Sequence, residues 1–304
     1  MKIGELLEEF KLDMEINNYS KETVYRYGNL LKIFNTYLTE VLSVTDVEKI
    51  KAVHVKAFVK FNKDRGVKQK TQNSYISAIR LFYSFLIKEN IVDKNLGYSV
   101  KSKKATDQRE IEIFTNEEMK KLFNYKRVGN IQKSPFLDAR DELIILFLLE
   151  TGCRNHEINN LKDEDIKDGF VYFKVTKGSR ARVVPYSRKL KKFMLKYERE
   201  RLKRYPKGTE YYFVSRTGNK LYNSNISQVV KRACKECGID DYKAYPHNFR
   251  HTFAVNTLKN TNDIYLVSKL LGHTNVSITE IYLQGLTNHD IVEMVKGNTI
   301  LDNL

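Results

Sequence analysis

Cysteine is scarce in this chain. Three cysteines among 304 residues, an odd number, argue against a disulfide framework and fit a reducing compartment. Cys234 and Cys237 form a single C-x-x-C. No second ligand pair stands nearby at zinc-binding spacing, so the two thiols read as helix-end residues. Long apolar runs are lacking as well. Nothing approaches the roughly 18 to 20 uncharged residues of a membrane span, and the opening MKIGELLEEF has no signal-peptide core. These absences lead us to expect a cytoplasmic protein with no membrane partner. There is also no H-E-x-x-H. His247 and His251, four apart on one predicted helix face, could ligate zinc in a hydrolase, but no third ligand accompanies them. The expectation is therefore no metal and no cofactor.

What the chain has is positive charge. The net charge is +16 and the isoelectric point about 9.5, which suggests a polyanionic partner such as nucleic acid. At 41% hydrophobic and 30% charged residues, the composition is that of a soluble globular protein long enough for two domains. Residues 1–104 and the remainder both carry more Lys and Arg than Asp and Glu. A membrane-binding protein would more often gather its charge on one amphipathic helix, whereas two basic domains can close around a duplex and neutralise phosphates from both sides.

Residues 1–92 read as four amphipathic helices forming a small bundle. The first lies in IGELLEEFKLDMEI. The second follows Ser20 as N-cap, with Val24, Tyr27, Leu31, Phe34, Leu38 and Val41 recurring every three or four residues. VHVKAFVKFNKDRG supplies the third, and TQNSYISAIRLFYSFLIKEN the fourth, striped by Tyr75, Ile79, Phe82 and Leu86. Lys68, Lys70, Thr71, Gln72, Asn73 and Ser74 cluster at the start of the fourth helix, where they could meet phosphates or base edges. Residues 93–112 lose periodicity and carry Lys101, Lys103, Lys104 and Arg109, as expected of a basic interdomain linker.

The second domain, 113–304, should open at Thr115, which makes a capping box with Glu118. DARDELIILFLLE reads as a buried helix. GFVYFKVTKGSRARVVPYS alternates as a hairpin with Lys177 in its turn and Arg180 beside it, and YYFVSRTGNKLY reads as a further strand pair. SRKLKKFMLKYERERLKRYPKG mixes charge signs at helical spacing and reads mostly as a solvated helix.

The chemistry gathers between Pro246 and Tyr282. His247 and Arg250, three apart in a helix opening at a proline, project from one face. Gly272 closes an apolar helix and sets His273 at a bend. Tyr282 follows, a poor nucleophile near neutrality unless cations or a base assist it. Upstream, Gly152 ends another apolar helix and Arg154 begins the next turn, with Glu157 placed to hold a guanidinium. Two arginines for phosphate oxygens, histidines for protons and a tyrosine to attack are what phosphodiester transesterification without metal requires. His156 and His251 read as structural.

These residues resemble a family. Thr151, Gly152, Arg154 and Glu157 fit the Thr-Gly-x-Arg-x-x-Glu box of the tyrosine recombinases, the phage integrases and Xer-type resolvases. His247 with Arg250 fits the His-x-x-Arg box, Leu271-Gly272-His273 the Leu-Gly-His box, and Tyr282 falls at the usual distance beyond. Lys177 matches the hairpin lysine between the two arginines. Cys153 stands where an aliphatic residue is usual, and Gln284 where a histidine often is. The resemblance implies a mainly α fold with a small β-sheet, a SAM-like core-binding bundle followed by a mixed α+β catalytic domain. It also implies site-specific cleavage and rejoining of DNA through a 3′-phosphotyrosyl bond. Arg154 and Arg250 would bind the nonbridging oxygens, His247 would move the tyrosine's proton, His273 would donate to the phosphate, and Lys177 would protonate the leaving 5′ oxygen. The implied partners are double-stranded DNA with inverted-repeat arms and further copies of the chain, a dimer on one site and a tetramer in synapsis. These copies would be joined by exchange of a tail at about 288–304. A type IB topoisomerase or a noncatalytic DNA-binding protein on the same fold are the alternatives.

Overall fold

The computed structural model describes residues 1–103, 112–127, 134–175, 180–288, 290 and 294. The chain divides into two compact units, Met1–Gln108 and Arg109–Leu304.

The first unit is built from α1 (Ile3–Ile16), α2 (Lys21–Thr36), α3 (Ala52–Asp64) and α4 (Gln69–Lys88). Ser20 caps α2 by accepting from the Thr23 amide at 3.3 Å. The apolar stripes face inward as periodicity demands: Val24, Leu31, Phe34 and Leu38 are buried, as are Tyr75, Ile79, Phe82 and Leu86. Val41 is the exception at 55% exposed, because α2 passes into a π-helical turn at Tyr37–Val41 that rotates it off the stripe. Phe58 sits at the centre, its ring 5.0 Å from Phe34 and 5.2 Å from Tyr75. Truncating such a residue costs about 3–5 kcal/mol.

Two expectations about this unit are corrected. Gln72 is not a surface residue: it is 5% exposed, and its Nε2 donates to the Val67 carbonyl at 2.6 Å, closing the turn before α4. The first half of the stretch expected to be a linker is not free chain either. Arg80 donates to the carbonyls of Gly97 and Val100 at 3.1 and 2.8 Å, and Asn95 returns a bond to the Arg80 carbonyl at 2.9 Å. Residues 95–100 are thereby fastened to α4.

The second unit starts with α5 (Asn116–Phe123), whose capping box is complete: Glu118 accepts from the Thr115 amide at 2.8 Å and Thr115 from the Glu118 amide at 3.2 Å. α6 (Pro135–Thr151) is its central rod, buried continuously from Ala139 to Leu148, apolar all round from Leu143 to Leu148 and carrying the buried charges of Arg140, Asp141 and Glu142 before that. α7 (Asn155–Asn160) follows, then β1 (Ile166–Lys167), β2 (Phe170–Phe173) and β3 (Arg182–Pro185), an antiparallel sheet in that order with Phe173 opposite Arg182. α8 (Arg188–Arg204) buries Leu190, Met194 and Tyr197, partly covers Glu198, Glu200 and Arg201, and leaves most of its lysines to solvent. α9 (Asn223–Glu236), α10 (Pro246–Thr261), α11 (Ile264–Leu271) and a 3₁₀ turn, Glu280–Gly285, complete the unit.

The strand pair expected over residues 211–222 is reduced to one bridge, Val214 to Lys220. The backbone of Tyr212 is already committed elsewhere: its amide donates to Leu161 and its carbonyl accepts from Tyr197 and Arg201. No helix among the described residues is long and apolar enough to cross a membrane.

Candidate active site

α6 stops at Gly152, whose backbone is left-handed at φ 56°. A side chain there would be strained, and its Cβ would stand 2.4 Å from the Phe253 ring. The stop frees the Gly152 carbonyl, which accepts from Nη1 of Arg250 at 2.8 Å. Two residues on, Arg154 is the N-cap of α7, fixed by its own amide donating to Glu157 at 2.6 Å. Its side chain passes 3.7 Å from the other Glu157 oxygen, and its Nη1 is buried without a hydrogen-bond partner among the described residues.

Arg250 projects from the second turn of α10 and is 3% exposed. Besides Gly152, it donates to the Leu271 carbonyl at 2.7 Å and to Nε2 of His273 at 3.0 Å. It therefore holds together the ends of α6 and α11. α11 also ends on a left-handed glycine, Gly272 at φ 68°, where a Cβ would meet the Arg180 carbonyl and the Arg182 side chain, both at 3.0 Å. His273 comes next, and its Nδ1 lies 2.8 Å from the Thr279 hydroxyl. An arginine only donates, so His273 Nε2 accepts and Nδ1 carries the hydrogen. In this state His273 does not donate through Nε2 as expected; doing so requires the other tautomer or an added proton.

Tyr282 lies in the 3₁₀ turn and is buried in a small apolar cluster with Ala254, Val255, Leu258, Val267 and Leu271. Its ring stacks on His273 with centroids 6.2 Å apart and meets His251 at 5.5 Å. The phenol acts electrostatically on both Arg154 and Arg250. His247 is exposed in the first turn of α10, 6.4 Å from His251.

Glu157 was expected to hold a guanidinium, and its principal partner turns out to be Arg182. The pair is bidentate at 2.5 and 2.8 Å, with Arg182 also donating to the Leu270 carbonyl at 2.6 Å and lying over the Phe173 ring. Burial opposes ionisation of Glu157, but the hydrogen bonds and charge of Arg182, with the Arg154 amide, outweigh it and hold the carboxyl below its usual range. The sequence did carry a signal for Arg182: strand alternation puts it on the inward face with Val184.

Three guanidiniums thus surround one carboxylate. Burial first, and neighbouring arginines second, push Arg250 down to about 10 and His273 down to about 4. Partial desolvation of its ring at the edge of the pocket, then Arg250, Arg154 and His156, lower His247, although much of its side chain stays open to solvent. Burial leads each of these three shifts, and neighbouring cations add to it in the same direction.

The other expected contacts divide. Lys68, Lys70, Lys101 and Lys103 are exposed, and so is Arg180, whose amide ties its strand to the Gly272 carbonyl at 3.2 Å. Asn73 is half-buried, donating to the Lys103 carbonyl at 2.8 Å and accepting from Gln69. Lys177, Lys104 and most of the tail at 288–304 lie outside the described residues. Among the described residues, no group of three or more His, Cys, Asp or Glu could hold a metal ion.

Comparison with known proteins bears on this arrangement. Residues 112–289 match the phage integrase family and residues 7–90 the phage integrase N-terminal SAM-like domain. Tyrosine recombinase XerA of Pyrococcus furiosus is 30% identical, over 99% of this chain and 96% of its own. Tyrosine recombinase XerC of Pediococcus pentosaceus is 29% identical, over 91% and 92%. A lambda integrase tetramer bound to a Holliday junction shares the fold with a TM-score of 0.72 at 18% identity, over 94% of this chain and 79% of that one.

Proposed function

Since the chain belongs to the phage integrase family and is a tyrosine-type site-specific DNA recombinase, we propose that it cuts and rejoins duplex DNA through Tyr282. The observation that carries the assignment of the site is the convergence of Arg154, Arg250, His273 and Tyr282 on a pocket whose one carboxylate is already taken by Arg182. Burying cations without a counter-charge is costly. A phosphodiester entering the pocket supplies that counter-charge.

In this reading Arg154 Nη1, which has no hydrogen-bond partner among the described residues, and the Arg250 guanidinium bind the nonbridging oxygens, and their hold tightens as charge grows on a five-coordinate phosphorus. The Tyr282 oxygen attacks, a 3′-phosphotyrosyl bond forms, and the 5′ oxygen leaves with a proton, a role that falls to Lys177. Because the covalent bond keeps the phosphodiester energy, a new 5′ hydroxyl can reverse the step with no external energy source. Lys68, Lys70, Lys101, Lys103, Lys104, Asn73 and Arg180 are the proposed DNA contacts, and the +16 net charge favours long-range attraction to the duplex.

The partners are double-stranded DNA with inverted-repeat arms and further copies of the chain: a dimer on one site, a tetramer when two sites pair, linked through the tail at about 288–304. The tetrameric lambda integrase complex supports that stoichiometry. A protein with such a substrate works where the DNA is, and we assign it to the cytoplasm. The test is strand exchange between two duplexes carrying the target site: product that depends on both sites and on Tyr282 supports the reading. Relaxation of any supercoiled plasmid by monomer, without exchange, would replace it with a topoisomerase.

A further inference from the structure

Tyr282 must lose a proton to attack, and the structure narrows which group can take it. The phenol ring neighbours two imidazoles, with ring centroids 6.2 Å from His273 and 5.5 Å from His251. Both nitrogens of His273 are engaged, Nε2 by Arg250 and Nδ1 by Thr279. His251 differs: its Nδ1 is buried and has no hydrogen-bond partner among the described residues. An unsatisfied buried nitrogen costs about 1–3 kcal/mol and asks for an explanation. His247, exposed to solvent, lies on the preceding turn of α10 with its ring centroid 6.4 Å from that of His251.

We propose that His251 is the proton acceptor for Tyr282, with His247 relaying the proton outward. This rests on the recombinase reading above and reassigns one of its roles. The phenol O–H bond breaks, and its electron pair stays on oxygen and forms the bond to phosphorus. The proton joins the His251 lone pair and leaves through His247 to water. In rejoining, the same path returns it. Among the described residues, the groups that face His251 are His247 and Arg250 from its own helix and Tyr282 from the 3₁₀ turn. Burial, His247 and Arg250 push His251 down to about 4, so its lone pair is free near neutrality. A phosphate bound to Arg250 offsets part of that depression, so His251 becomes more basic when DNA is in place.

The test uses the full chain and a nicked duplex recovered by the wild-type protein from a randomised library, with cleavage measured in a single turnover at saturating protein. His251→Ala should cleave at least about 100-fold more slowly while its DNA affinity stays within about twofold. Small imidazoles should restore cleavage by that variant in order of basicity, and weakly basic thiazole should not. A 5′-bridging phosphorothiolate, whose sulfur leaves without a proton, should not remove the defect. If His251→Ala fails to fold, His251→Gln carries the test and should show the same loss at wild-type Tm. Cleavage within threefold of wild type, equal rescue by thiazole, or recovery on the phosphorothiolate would each overturn the proposal. Absence of cleavage by the wild-type chain would instead overturn the recombinase reading.

Discussion

Glu157→Gln is the substitution whose outcome the structure constrains most. The carboxylate takes two hydrogen bonds from Arg182 at 2.5 and 2.8 Å and one from the Arg154 amide at 2.6 Å. Its side chain and that of Arg182 are each only 2% exposed. A glutamine has one acceptor oxygen and presents an NH2 where an acceptor was, so at least one donor is left facing a donor and Arg182 loses its counter-charge. Breaking a buried pair from one side costs about 3–5 kcal/mol. Replacing both partners, as in Glu157→Leu with Arg182→Met, removes the uncompensated charge and should cost less than either single change, a coupling of about 1–3 kcal/mol. Urea unfolding of the full chain followed by circular dichroism measures this, with the transition of the second unit compared across wild type, Glu157→Gln, Glu157→Leu, Arg182→Met and the double variant. The pH dependence adds a check. The folded Glu157 carboxyl is held below its ordinary value, so its contribution is complete above the unfolded pKa of about 4.3 and is lost as pH falls through the folded one. The gap between wild type and Glu157→Gln should therefore be widest near neutrality and close in acid. A loss below about 1 kcal/mol, a gap that does not change with pH, or a double variant less stable than both singles would refute the argument.

Other expectations follow from the same geometry. Arg154→Lys should bind DNA nearly as well as wild type yet cleave at least about 100-fold more slowly in single-turnover assays, because an ammonium cannot place two donors on the growing charge. His273 is buried and pushed down to about 4. The unfolded chain thus binds its proton more readily between that value and about 6.5, and stability should fall across this window as pH drops. A His273→Gln variant should show a shallower fall in thermal melts. Lys70→Ala should lower the salt dependence of DNA binding by about one contact, whereas Gln72→Ala should leave DNA affinity alone and lower the stability of the first unit.

Much of this was legible in the sequence because it depends on local spacing. The helices of the first unit follow from apolar repeats and the cap at Ser20, the cap at Thr115 opens the second unit, and the two left-handed glycines mark where α6 and α11 must stop. What sequence could not show was which long-range partner each polar group finds. Glu157 lies near Arg154 in the chain but spends its oxygens on Arg182, 25 residues away. Gln72 stands among lysines but turns inward to Val67. The residues at 211–222 alternate like a strand pair, but their backbone partners come from α8 and from Leu161. His251 reads as structural until the turn carrying Tyr282 is folded against α10.

The most direct measurement of the central claim is denaturant-resistant capture of DNA from a library of nicked duplexes, in which the released fragment diffuses away and traps the covalent intermediate. Wild type should retain molecules sharing one sequence motif, attached through Tyr282, and Tyr282→Phe should retain none. Equal retention by both proteins, or tight salt-sensitive binding by wild type with nothing covalently held, would contradict the assignment of Tyr282 as the nucleophile.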